Sequence, residues 1–177
     1  QMHGSLIDQS GQPRPFYAEA QAVGAELARA RDVLAGTTVK ARVAVLHDFG
    51  SRWLLDNQRH HGDFDYIEHL LRAYRAIASQ NISVDVVSAD VDLSEYAVVI
   101  APALALFTPE RIERFKAFAQ RGHLVLSPRT GTRDSAAALW EERPPVGLRD
   151  LAGCEVEEYY ALAAPIVQTA TYSFANT

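Results

Sequence analysis

His47 and Asp48 close the first β-branched run of this chain, and Arg129, Arg133 and Asp134 follow the fourth. In an open parallel sheet, ligands bind beyond the carboxyl ends of the strands. These five side chains are therefore candidates for a single rim that holds a small anion or a polar ligand, against the plainer reading that they are polar loop ends. A phosphate loop is not among the options: His47-Asp48-Phe49-Gly50-Ser51 has one glycine where a dinucleotide turn uses three. Nucleophilic chemistry needs a tight strand-to-helix elbow, and the candidate reads Leu126-Ser127-Pro128-Arg129-Thr130-Gly131. Ser127 and Thr130 are its hydroxyls, and the sequence places no base within reach of either. Cys154 stands in a later segment and reads as a small apolar side chain, not as a nucleophile.

Other groups are weaker. Glu141 and Glu142, like Glu157 and Glu158, are adjacent in the chain. Neighbours point about 100° apart on a helix and to opposite faces of a strand, so neither pair can flank one scissile bond. They read as solvated surface. His60 and His61 with Asp63 read as a polar loop with at most adventitious affinity for a metal ion, and no metal or cofactor is expected. Trp53, Leu54 and Leu55 form a bulky apolar triplet in what reads as a loop, and something must cover it: their own domain or a neighbouring subunit.

The elements that position these residues follow from periodicity. Phe16, Ala20, Val23, Leu27, Ala30 and Leu34 recur every three or four residues and predict a helix from Pro15 to Leu34, closed by Ala35-Gly36-Thr37-Thr38. Four short apolar runs predict strands: Arg42–His47, Val84–Ser88, Ala97–Ala101 and His123–Ser127. Their nearly continuous apolar character suits strands buried on both faces. Asp65 with Glu68 resembles a capping box ahead of Ile67, Leu70, Leu71, Tyr74 and Ile77. Thr108 and Pro109 open a second helix with Ile112, Phe115, Phe118 and Ala119 inward, ended by Gly122. Beyond Gly131 the pattern predicts a short helix over Ala136–Glu141, a loop through Pro144-Pro145-Val146-Gly147, and late strands at Glu155–Leu162 and Ile166–Tyr172. Strands alternating with helices imply right-handed crossovers. The fold class is α/β: a three-layer sandwich with a mainly parallel sheet, flavodoxin-like or class I glutamine amidotransferase-like.

Composition narrows the function. Across 177 residues, 17 Lys and Arg face 22 Asp and Glu, a formal charge of −5. With no basic run, neither nucleic acid nor an anionic membrane finds an electrostatic footprint. The longest apolar stretch, Val98–Phe107, contains Pro102 and is well short of the roughly 20 residues that span a bilayer. One cysteine allows no internal disulfide and suits a reducing, cytoplasmic compartment. The start, Gln1-Met2-His3-Gly4, has neither the basic head nor the apolar core of a signal peptide, nor the look of a native N-terminus.

Longer stretches carry a resemblance. His3-Gly4-Ser5-Leu6-Ile7-Asp8-Gln9-Ser10-Gly11 and Pro13-Arg14-Pro15-Phe16-Tyr17-Ala18-Glu19 resemble the end of the catalytic barrel in glycoside hydrolase family 42 β-galactosidases. Asp85, Leu93-Ser94-Glu95-Tyr96, Val98-Val99-Ile100-Ala101-Pro102-Ala103-Leu104 and Gly122-His123-Leu124-Val125-Leu126-Ser127-Pro128-Arg129-Thr130-Gly131 resemble that family's middle domain. A departure is the single Gly122, where relatives often have two glycines.

The resemblance implies an amidotransferase-like sandwich without its nucleophile, known as the trimerisation domain, in a retaining hydrolase of terminal β-galactosides. Its acid/base and nucleophile glutamates would both precede Gln1. His3 matches a sugar-holding histidine whose glutamate partner would also lie upstream. Without the carboxylates this chain should hydrolyse nothing by itself. Residues 1–36 are then expected to be the end of the barrel and a linker, and 37–177 the trimerisation domain, cut short at its C-terminus. Trp53, Leu54 and Leu55 become interface candidates for a homotrimer. The rival is a small-molecule-binding or amidotransferase-like domain that uses the rim of His47, Asp48, Arg129 and Arg133.

Overall fold

A computed structural model describes residues 5–162. The chain separates into two units, Gln1–Val39 and Lys40–Thr177. In the first, the expected single helix is two: α1 (Tyr17–Arg29) and α2 (Arg31–Leu34), with Pro15 outside and the break at Ala30. No residue of either helix is buried. Phe16, Val23, Leu27 and Leu34 of the expected apolar face are exposed, and without burial periodicity gives a long helix little support.

The second unit runs β1 (Val43–His47), α3 (Phe49–Asn57), α4 (Tyr66–Ala78), β2 (Val84–Ser88), β3 (Val98–Ala101), α5 (Pro109–Ala119), β4 (His123–Leu126) and α6 (Arg149–Ala152). The strands form one parallel sheet in the order β2-β1-β3-β4. Val45 faces both Val86 and Ile100 in register, and Ile100 faces Val125. Alternation along each strand sends side chains to opposite faces. Ala44, Leu46, Val99 and Ala101 meet Ile112, Phe115 and Phe118 of α5 on one side. Val45, Val84 and Ile100 meet Leu55 of α3 and Tyr66, Ile67 and Leu70 of α4 on the other. Helices thus cover both faces, the three-layer arrangement expected.

The caps formed as the sequence indicates. The Asp65 carboxylate accepts the Glu68 N–H at 2.8 Å, and the Thr108 hydroxyl accepts the Arg111 N–H at 3.3 Å, with Pro109 in the first turn of α5. Gly122 is required by packing: a Cβ there would sit 2.4 Å from the Phe118 ring. Burial on both faces holds for β1 but not for the sheet edges, where Val86 of β2 is 49% exposed and Val125 of β4 47%.

Three expectations need correction. Trp53, Leu54 and Leu55 lie on α3, not in a loop, because Asp48 caps that helix. Ala136–Glu141 is not a helix: one carboxylate oxygen of Asp134 accepts the N–H groups of both Ala136 and Ala138 at 2.9 Å, and Ala137 takes a left-handed φ of 62°. Such a side-chain turn competes directly with helix formation. Glu155–Leu162 has no regular secondary structure and pairs with no strand among the described residues; ion pairs from Arg143 and Arg149 to Glu155 pin its start instead. Ile166–Tyr172 and His3 fall outside the described residues.

Candidate functional site

The backbone leaves β1 extended at Asp48, whose carboxylate caps α3 by accepting the Ser51 N–H at 2.7 Å. Its other oxygen accepts from Arg111 Nη2 at 2.8 Å, and its own N–H donates to the Tyr66 hydroxyl at 3.1 Å. Arg111 also grips Asp90 with two donors, at 2.8 and 2.7 Å, and donates to the Leu106 carbonyl at 2.9 Å. The Asp90 hydrogen bond, then Asp48, hold the guanidinium firmly protonated against the effect of burial, and Arg111 in turn holds the Asp90 carboxyl below its ordinary range. Asp48 is thereby committed to structure.

The strand order reverses between β1 and β3, the place where an open sheet offers a ligand crevice. Here it is filled. Leu106 donates its N–H to Ser51 Oγ at 3.0 Å, and its side chain lies so close to Gly50 that a Cβ there would stand 2.6 Å from it. His47 turns instead to a shallow hollow beside Val86, Val87 and Ser88, edge-on to Phe49 at 4.6 Å between ring centroids.

At the elbow after β4 the structure supplies a base that the sequence did not reveal. His69 of α4 lies 58 residues away in the chain, yet its Nε2 is 3.1 Å from Ser127 Oγ. Burial, then Arg72, lower the affinity of this imidazole for a proton. A paired serine and histidine are not sufficient for acyl transfer. Ser127 Oγ already accepts the Ala103 N–H at 2.6 Å, and among the described residues no carboxylate hydrogen-bonds His69. Thr130, the other hydroxyl, is buried and donates to the Ser127 carbonyl at 2.7 Å. Both hydroxyls tie loops together.

Arg129 and Arg133 do not join His47 and Asp48. They meet in a separate cleft of about 200 Å³, where Arg129 donates to the Gln58 carbonyl at 3.3 Å and Arg133 to its side-chain Oε1 at 3.2 Å. Asp134 is spent on its own turn. The predicted rim is thus two separate places, and the sequence gives no sign of Gln58, which lies at the end of α3.

The apolar triplet is divided by helical geometry. Leu55 is 1% exposed in the core, Leu54 packs beside it, and Trp53 is 62% exposed. Phe49, one turn earlier, is 56% exposed with its ring centroid 5.8 Å from that of Trp53. Cys154 is exposed rather than buried. Among the carboxylate pairs, Glu142 and Glu157 join surface ion pairs with Arg149 and Arg143. His61 and Asp63 make a local contact at 3.7 Å, and no group of three or more potential ligands among the described residues could hold a metal ion.

The family model described as a β-galactosidase trimerisation domain matches residues 41–176. β-Galactosidase Bga of Halorubrum lacusprofundi is 37% identical over 164 residues, covering 92% of this chain and 23% of that protein. β-Galactosidase BglY of Alicyclobacillus acidocaldarius is 34% identical over 164 residues, 90% of this chain and 24% of the relative. The crystal structure of a β-galactosidase from Bacillus circulans sp. alkalophilus superposes with a TM-score of 0.75 at 31% identity, over 90% of this chain and 24% of that one. The chain therefore spans about a quarter of the length of the curated relatives it matches.

Proposed function

Because the chain belongs to the β-galactosidase trimerisation domain family, we propose that it is the non-catalytic middle part of a retaining enzyme that hydrolyses terminal β-D-galactosides, and that it holds three copies of that enzyme together. Residues 1–36 are the end of the catalytic barrel in this reading, and 37–177 the assembly domain. The acid/base and nucleophile glutamates, and the partner of His3, lie in the barrel. A single exposed thiol fits a cytoplasmic enzyme.

The observation that carries the reading is the pair Phe49 and Trp53. Two aromatic side chains one turn apart, on a helix whose opposite face is locked into the core by Ser51 and Leu55, each leave more than half of their surface exposed. Aromatic anchors of this type dominate protein interfaces. The filled crevice and the committed hydroxyls of Ser127 and Thr130 agree with a domain that performs no chemistry. Sedimentation velocity of the chain and of its Trp53→Asp variant tests the proposal: a trimer that the substitution dissociates supports it, and the same mass for both removes Trp53 from the interface.

A further inference from the structure

We propose that the cleft lined by Gln58, Arg59, His60, Arg129, Arg133 and Tyr159 binds a small oxyanion of the phosphate class. Eight arginines of the described residues have a carboxylate within 4.0 Å, Arg59 and Arg111 among them, and Arg14, Arg31, Arg42, Arg72 and Arg121 have none. Among the described residues Arg129 and Arg133 have none, and the remainder of the chain contains no Asp or Glu. Two guanidiniums carry about ten N–H donors between them. Among the described residues three are engaged, all with neutral acceptors: the Gln58 carbonyl, Gln58 Oε1 and the Ala137 carbonyl.

The pair is held in place with some strain. Arg129 takes a φ of 72°, a left-handed conformation uncommon for any residue but glycine, and its guanidinium lies 5.3 Å from the centroid of the Phe64 ring. Burial and then Coulomb repulsion weaken the hold of His60 on a proton, the latter from both Arg129 and Arg133; burial, opposed by Tyr159 and reinforced by Arg133, does the same to Arg129. Such crowding of like charge in a partly buried cleft is relieved by an anion. Two forked cations match a dianion with several oxygens. A volume of about 200 Å³ exceeds the roughly 30 Å³ share of one water and admits such an ion with part of an attached group.

The test titrates the chain with inorganic phosphate, and in parallel with glucose 6-phosphate, at an ionic strength held constant with chloride. Calorimetry and thermal shift are the readouts. Saturable binding is expected, with a rise in Tm of about 5–10 °C at a hundredfold excess over Kd. The affinity should fall more than tenfold in Arg133→Gln and in Arg129→Gln, and Arg133→Lys should recover part of it. Preference for one of the two compounds identifies the source as the free ion or a phosphomonoester. Absence of saturable binding to the unmodified chain overturns the proposal, as does equal affinity in the folded Arg133→Gln variant. Neither result bears on Trp53 or on assembly.

Discussion

Arg111 Nη2 donates to Asp48 Oδ1 at 2.8 Å across 63 residues of sequence, and both side chains are only 10% exposed. This bond joins the end of β1 to α5 on the far side of β3, and the fork on Asp90 extends it to the loop after β2. One guanidinium thus fastens the carboxyl end of the sheet where related architectures would leave a crevice. A filled, fastened crevice between β1 and β3 is the property expected of a domain whose work is done on its outer surface.

Truncation of Arg111 leaves Asp48 buried without its cation. Arg111→Met should destabilise the domain by about 3–5 kcal/mol in urea unfolding near neutral pH, the cost of breaking one side of a buried pair. Removal of exposed Arg75, paired only with Glu68 at the surface, should cost less than about 1 kcal/mol.

Acid should release the same fastening. The Asp90 carboxyl is held below its ordinary value by Arg111, so the folded state binds that proton less readily than the unfolded chain. Its contribution is complete above about pH 4 and is lost as pH falls through the folded value. Thermal unfolding between about pH 5 and 2 should show a shallower acid limb in Asp90→Asn than in the unmodified chain.

Ser127 and His69 make a forecast that separates structure from catalysis. Ser127→Ala strips the Ala103 N–H of its acceptor and should cost about 1–3 kcal/mol. A double-mutant cycle with His69→Ala should show coupling between the two, and neither variant should change the rate at which an activated ester hydrolyses in the presence of the chain. Because burial lowers the proton affinity of His69 on folding, its share of stability is complete above about pH 6.5 and declines below it.

Gly122 is the sharpest packing test. Gly122→Ala drives a methyl into the Phe118 ring and should cost about 1–3 kcal/mol, with Phe118→Leu recovering part of the loss in the double variant. Denaturant midpoints at unchanged m-value check this.

Much of the sheet was legible because strand boundaries follow apolar runs: Val84–Ser88 matches to the residue, and the other three strands shift by one at an end. The helices with a side-chain cap and an apolar stripe, α4 and α5, were equally plain. What escaped detection has physical causes. Phe49-Gly50-Ser51 looks like loop chemistry, so α3 was hidden although Asp48 caps it; the glycine is there because Leu106 leaves no room for a Cβ. Asp134 turns a helix-like stretch into a side-chain turn. His69 and Gln58 were invisible as site neighbours because nothing local marks a residue that meets its partner only through the fold. The rim residues themselves could be named, but not their separation, because Arg111 takes up Asp48 while Gln58 and Ala137 take up Arg129 and Arg133.

The central claim is that this domain's own surface drives self-association through Trp53 and Phe49. The most direct measurement is the solution mass of the chain by size exclusion with light scattering over a range of concentrations. The account predicts a mass that rises towards three times 19.5 kDa, about 58 kDa, and returns to that of a single chain in the Trp53→Asp variant. A mass of 19.5 kDa at every concentration would contradict it.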